Sequence, residues 1–323
     1  MFEQIRRPWP FALALVGGLM AGCSDSTSDD FTSFELPGND FFPEGIARMR
    51  DGTLFVGSLT EGAIVRLGPG RQQPESFVPS GPAGQRALTS AAGMVADEDL
   101  GILWVCDSAM RSSLPSAVVG IALNDGHVAV RHSFPAPQGL CNDVALDGEG
   151  NLYATDSNAP RILRIATGAK LTEGEASAWT TDPRWVVGPG QFGLNGIAWA
   201  KGNLYVAHTQ NNALYRIPID AAGSAGAAAA LLLDRKPNGL DGLKVAADGS
   251  LAFVEGFANQ LVRVALPGDD TGTLTVLAPG LDQPTTFALF DGGAWVVEGQ
   301  LLHLFGQDPT PPHLPFRVVW KSF

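Results

Sequence analysis

Four short segments place an oxygen-bearing side chain just ahead of a run of small and apolar residues: Pro43-Glu44-Gly45, Cys141-Asn142-Asp143, Leu194-Asn195-Gly196 and Leu240-Asp241-Gly242. Two further segments occupy the same place in the series with Ala92 and Thr285. If the repeats close around an axis, equivalent positions converge on it, and two carboxylates (Glu44, Asp241) meet two carboxamides (Asn142, Asn195). A hard divalent cation takes six to eight oxygen ligands, so this quartet suits Ca²⁺, or another divalent cation, with sites left for water and substrate. The plainer alternative is that these residues solvate a channel or cap strand ends, as Asn and Asp often do near turns. Against it, carboxylates that converge without a cation repel one another.

The elements that would position these residues form an internal repeat of roughly 50 residues. Its clearest copy runs from Pro43-Glu44-Gly45-Ile46-Ala47 through Asp51-Gly52-Thr53-Leu54-Phe55-Val56-Gly57 to Ala63-Ile64-Val65-Arg66-Leu67. Further copies begin at Ala92-Gly93, Asn142-Asp143, Asn195-Gly196, Asp241-Gly242 and Thr285-Thr286, each followed by an apolar second run such as Ile102-Leu103-Trp104-Val105 or Asn151-Leu152-Tyr153-Ala154. Asp-Gly and Gly-Asn turns break the runs, and no stretch keeps a helical period. Each copy reads as one antiparallel sheet of about four strands. One such sheet cannot bury both faces, whereas six packed radially bury them against each other. The expectation is an all-β, six-bladed β-propeller with four-stranded antiparallel blades over residues 32–323. Either Phe34-Glu35-Leu36 or Phe316-Arg317-Val318-Val319 supplies the outer strand of the last blade, and the Ala-Gly stretch Ala221 to Ala230 reads as a loop or part-strand because glycines interrupt it.

At the N-terminus, Arg6 and Arg7 precede the apolar run Phe11 to Met20, which is too short to span a bilayer and reads as an export signal over residues 1–22. It ends in Met20-Ala21-Gly22-Cys23, which resembles a bacterial lipobox. Cys23 is then the lipidated residue, and residues 23–31 form a polar spacer. Ser24 after the cysteine resembles lipoproteins sorted to the outer membrane. The expected location is therefore the cell envelope, on the periplasmic side of the outer membrane, with the lipid as the only membrane contact.

The chain carries a formal net charge of −12, and losing Glu3, Arg6 and Arg7 with the signal leaves −13. Phosphate binding needs clustered Lys and Arg, so nucleic acid is excluded as a partner. No feature signals an oligomer, and a monomer is expected. Besides Cys23 there are two cysteines, Cys106 and Cys141, too few for a disulfide scaffold or a zinc site. They flank adjacent blades at one end, where two readings stand: a disulfide in an oxidising compartment, or two buried thiols.

The quartet segments together resemble the senescence marker protein/gluconolactonase family of calcium-dependent six-bladed propellers, and more distantly diisopropyl fluorophosphatase and paraoxonase. The resemblance covers essentially the whole mature domain. It implies a catalytic calcium held by Glu44, Asn142, Asn195 and Asp241, and hydrolysis of a lactone or ester small-molecule substrate with Asp241 as general base or nucleophile. Blade two departs from the sugar-lactone members, with Ala91 and Ala92 where polar substrate contacts are usual, which tells against a gluconolactone. Asp107, Asp156 and His208, each ending a second strand, are candidates for supporting the ligands or for strand-end turns. Phe41, Phe42, Phe192 and Phe257 either line a pocket for an apolar acyl group or pack the blade tops. Fold alone does not separate a hydrolase from a non-catalytic propeller that binds a protein or glycan around a structural calcium, or from a lyase or synthase.

Overall fold

Runs of β-branched and aromatic residues alternating with tight turns fold here as consecutive antiparallel hairpins, and six sheets follow one another along the chain. The computed structural model describes residues 31–323 apart from 83–84, 111, 138 and 269. Cys23 and the expected export signal over residues 1–22 lie outside the described residues. Six inner strands lie at Pro43–Arg48, Ala91–Asp97, Cys141–Leu146, Leu194–Ala200, Leu240–Val245 and Pro284–Phe290. Each pairs antiparallel with a second strand: Leu54–Ser58, Ile102–Asp107, Leu152–Asp156, Asn203–His208, Leu251–Glu255 and Gly293–Glu298.

The fold is the all-β six-bladed propeller, with four strands in four of its blades. The second and fifth blades each carry a short parallel fifth strand, Gly174–Glu175 and Leu232–Leu233, added to the outer edge. Both candidate closing segments are used. Arg317–Ser322 is the third strand of the last blade, and Ser33–Glu35 pairs with it as the outermost strand, Phe34 opposite Val318. Of the Ala221 to Ala230 stretch only Ala229–Ala230 is strand.

The core is divided among the blade interfaces. Between the last blade and the first, Phe34, Leu54, Val56, Trp295 and Val318 pack together; between the first and second, Phe55, Ile64, Leu103 and Val119 do the same. The aromatic second-strand residues Phe55, Trp104, Tyr153 and Phe253 are fully buried in these seams. This placement explains why the repeat favours bulky residues there: each must fill the gap to a neighbouring sheet about 10 Å away. Phe41 and Phe42 are buried in the seam between the last and first blades, so they pack the blade tops. Cys106 and Cys141 form a disulfide between the second and third blades, with Cα atoms 5.3 Å apart.

Candidate metal centre and active site

Every inner strand breaks register with its partner at the channel mouth. In the first blade Pro43 opposes Ser58 and Ile46 opposes Val56, so Glu44 and Gly45 together face one residue. The same break brackets Asn142, Asn195, Asp241 and Thr285. A β-bulge re-aims the side chain it carries. Repeated around the ring, it turns Glu44, Asn142, Asn195, Asp241, Ala92 and Thr285 onto a shared cavity at one end of the channel.

Glycine after the ligand position has a steric cause. A Cβ on Gly45 would collide with the carbonyl oxygen of Ala92, and one on Gly196 with the backbone of Asp241 and Leu243. Adjacent inner strands therefore pass within backbone contact, and each bulge rests on the next blade's bulge. The third blade has Asp143 in place of this glycine. Its carboxylate accepts hydrogen bonds from the N–H groups of Val144 (2.9 Å) and Ile197 (3.3 Å) and pairs with Lys244 Nζ at 3.3 Å. Neither Asp143 nor Lys244 stands among the candidate site residues that the repeat marks out. Two oppositely charged residues on inner strands two blades apart, at positions otherwise small or apolar, are the signal the sequence offers.

The electrostatics follow from this packing. Burial drives the Glu44 carboxyl well above the usual carboxylate range, and the nearby Asp241 and Asp143 add to the effect. Asp241 keeps one face toward the cavity, yet removal from bulk water is the largest influence on it and lifts it to about 7, partly offset by a hydrogen bond from Asn195. Asp143 is raised by burial and held back by Lys244. Three carboxylates against one ammonium leave two negative charges, which one divalent cation would neutralise. Asn142 Oδ1 is buried with no hydrogen-bond partner among the described residues. Asn195 Nδ2 donates to Thr209 Oγ1 at 3.0 Å, and the Thr209 hydroxyl donates to the carbonyl of Leu240 at 2.7 Å. This chain of hydrogen bonds orients the Asn195 amide through its nitrogen, so that its Oδ1 is the atom that could serve a cation. An orphaned amide oxygen beside two destabilised carboxylates fits a hard cation. Among the described residues no group of three or more His, Cys, Asp or Glu is placed to hold a metal ion, so the case for a cation rests on two carboxylates and two amides.

Asp107, Asp156 and His208 sit at the outer end of this arrangement. The Asp107 carboxylate accepts from the N–H groups of Thr89 and Ser90, both at 3.0 Å, and pairs with Arg131. Asp156 accepts from Leu140 N–H at 2.9 Å and from Arg161 Nε at 2.8 Å. Glu255 and Glu298 do the same for the fifth and last blades, with Arg235 and Arg317 as their cations. These acids tie the loop that enters each inner strand and so set where the bulge begins. His208 is fully buried; its Nδ1 accepts from Asn211 N–H at 3.2 Å, Nε2 faces the carbonyl of Trp185, and burial lowers its basicity.

Above the quartet lies a cavity of about 110 Å³, several times what one water needs. Phe192 and Phe257 line it with Met110 and Leu140, so the four phenylalanines divide: two line the pocket and two pack blades. The connection between the last two strands contributed by the C-terminal half of the final blade crosses over it. This segment contains a single helical turn, α1 (Leu301–Leu304), and presents Leu301, Leu302 and Phe305 to the cavity. Leu301 and Leu304 pack against both the last–first and the second–third blade seams, so the turn bridges the mouth. Gln283 Oε1 accepts from Leu302 N–H at 2.9 Å, and Gln300 exchanges two hydrogen bonds with the backbone of His313.

Residues 42–295 match the family described as SMP-30/gluconolactonase/LRE-like region. No curated protein matches the sequence significantly. Among solved structures, a gluconolactonase from Xanthomonas campestris is 14% identical, with 90% of this chain and 89% of that one covered and a TM-score of 0.62. The major allergen of Malassezia sympodialis is 13% identical over 90% and 95% of the chains, with a TM-score of 0.66. Virginiamycin B lyase from Staphylococcus aureus is 18% identical over 82% and 80%, with a TM-score of 0.59. At these identities the likeness is one of fold.

Proposed function

Because the chain belongs to the SMP-30/gluconolactonase/LRE-like family, we propose that it is a calcium-dependent hydrolase of lactones or esters, anchored to the cell envelope through a lipid on Cys23. The observation that supports this most is Asn142 Oδ1, a buried acceptor without a partner among the described residues, on the same cavity as Glu44, Asn195 and Asp241. Glu44, Asn142, Asn195 and Asp241 would hold the cation, which when bound polarises a carbonyl oxygen as a Lewis acid.

The chain's own residues do the rest. Asp241, oriented by the Asn195 amide, takes a proton from the attacking water as the water oxygen bonds to the acyl carbon. It returns that proton to the departing alkoxide oxygen as the acyl C–O bond breaks, so one water is consumed and the carboxyl ends as it began. In the variant of this role the Asp241 carboxylate bonds to the acyl carbon as the C–O bond to the alkoxide breaks and the alkoxide takes a proton from solvent; water attacking the Asp241 carbonyl of the resulting anhydride then releases the acid and leaves ¹⁸O in Asp241 when turnover is run in ¹⁸O-water. Lys244 and Asp143 stay below as fixed charges. The turn α1 and Phe305 limit the water above the reacting centre.

The second reading is a non-catalytic propeller that binds a protein or glycan and holds calcium structurally; the covered mouth favours it. One experiment separates the two: calcium content, and turnover of a lactone and aryl-ester panel, for the wild type and Asp241→Asn with residues 1–22 removed. Calcium-dependent turnover that falls roughly 10²–10⁴-fold in the variant, with the circular dichroism spectrum unchanged, is the expected result. Bound calcium with no turnover on any ester hands the site to the second reading. For the anchor, Cys23→Ser should release the full-length protein from washed membranes.

A further inference from the structure

Resting on the hydrolase reading, we infer that the substrate is an uncharged, largely apolar lactone or ester, whose acyl or alkyl chain lies against the wall beneath α1. Two features of the cavity carry this. The first is charge. Among the described residues lining it, Glu44 and Asp241 are the only charged side chains, and both lie in the floor that would face the cation. No described lysine, arginine or histidine in the wall stands ready to pair with a substrate carboxylate or phosphate.

The second is hydrogen-bonding capacity. The upper wall is built from Met110, Leu140, Phe192, Phe257, Leu301 and Phe305. Of the polar side chains between them, Ser108 Oγ is buried without a partner among the described residues, and three others are committed within the protein. The Thr209 hydroxyl donates to the Leu240 carbonyl while accepting from Asn195, the Thr285 hydroxyl donates to the Glu44 carbonyl at 2.9 Å, and Gln283 Oε1 accepts from Leu302 N–H. A polyhydroxylated lactone placed here would find Ser108 Oγ as the one wall hydroxyl without a partner, too little for its several hydroxyls, and each buried hydroxyl left unpaired weakens binding. An alkyl chain loses nothing by the same exchange and covers the exposed edge of Phe257, which is 53% accessible although it lines the cavity.

The test uses the mature chain with calcium and three classes of substrate: γ- and δ-lactones with alkyl chains of increasing length, glucono-δ-lactone, and an aryl ester bearing a carboxylate. Binding of the corresponding alkyl lactams, which resist hydrolysis, is measured alongside by calorimetry. We expect kcat/KM and lactam affinity to rise about fourfold for each methylene that enters the cavity, with glucono-δ-lactone poorer than the best alkyl lactone by roughly 100-fold. Phe257→Ala and Phe305→Ala should flatten the dependence on chain length. Phe257 is exposed enough that its loss leaves the fold intact.

Preference for glucono-δ-lactone or the carboxylate ester, or a chain-length slope unchanged in both variants, overturns the inference and leaves the hydrolase standing. Lactams that bind tighter with chain length while no ester turns over support the apolar occupant and overturn the hydrolase. Absence of both lactam binding and alkyl-lactone turnover overturns the inference.

Discussion

The Glu44 and Asp241 carboxyls are held where neither is comfortable as an anion, and this has a sign that can be tested. Asp241 rises from its ordinary 3.8 to about 7, and Glu44 moves in the same direction. A carboxyl raised on folding binds its proton more tightly in the folded state. It therefore contributes stability that is fully present below about 4 and is lost as pH climbs through about 7. In chelator, the melting temperature should fall between pH 5 and pH 8. Calcium replaces the protons as the counter-charge and should flatten or reverse that slope, because a ligand that binds only the folded state stabilises it in proportion to its occupancy. A melting temperature indifferent to pH in chelator would mean that these carboxylates are not gathered as described. The same gathering explains why Asn142→Leu should cost little in chelator yet remove much of the gain from calcium: it deletes a ligand but also an unsatisfied buried oxygen.

At the scale of strands, the bulge and the acid that pins it act as a unit. Asp156 is fully buried, and its carboxylate gathers the N–H groups of Leu140, Asn158 and Ala159 together with the Arg161 guanidinium. Asp156→Ala would strand Arg161, itself only 8% exposed along its side chain, and should cost about 3–5 kcal/mol in chemical denaturation. It should also weaken calcium binding, because Leu140 leads directly into Cys141-Asn142. Arginines at the equivalent acids of the fifth and last blades are more exposed, at 38% for Arg235 and 52% for Arg317, so Glu298→Ala should cost less. The periodic pattern made the strands and the donor ring readable. It could not show which acid at a second-strand end would find a cation, because those arginines come from different elements, Arg161 from a strand and Arg235 from a loop, and at different separations: five residues after Asp156, twenty before Glu255.

Across the whole molecule, two ties resist opening of the ring. One is the pairing of Ser33–Glu35 with Arg317–Ser322, which joins the two ends of the propeller in one sheet. The other is the disulfide between Cys106 and Cys141, which links adjacent blades across 35 residues of chain. In the chain-entropy picture a loop of this size contributes roughly 3–4 kcal/mol. The double variant Cys106→Ala/Cys141→Ala should lose about that much in urea, and mass spectrometry under non-reducing digestion should find the cross-linked peptide in the wild type. Since Cys141 immediately precedes Asn142, the variant should also raise the Kd for calcium, which a merely distant cross-link would not do.

By itself the amino-acid order determined the blade count, the strand order within a blade and the ring of oxygen donors. Each of these repeats along the chain, and closure of a repeat brings equivalent residues together without further information. Glycine at positions 45, 93, 196 and 242 belongs to the same local logic, since a bulge pressed against a neighbouring backbone has no room for a side chain. Tertiary structure alone decided what does not repeat. The pairing of Asp143 with Lys244 spans 101 residues, the first and last described strands share the last blade, and the segment that includes α1 covers the mouth. Phe192 and Phe257 line the cavity while Phe41 and Phe42 fill a seam. These depend on where irregular connections lie once the ring has closed, and no period in the sequence constrains them.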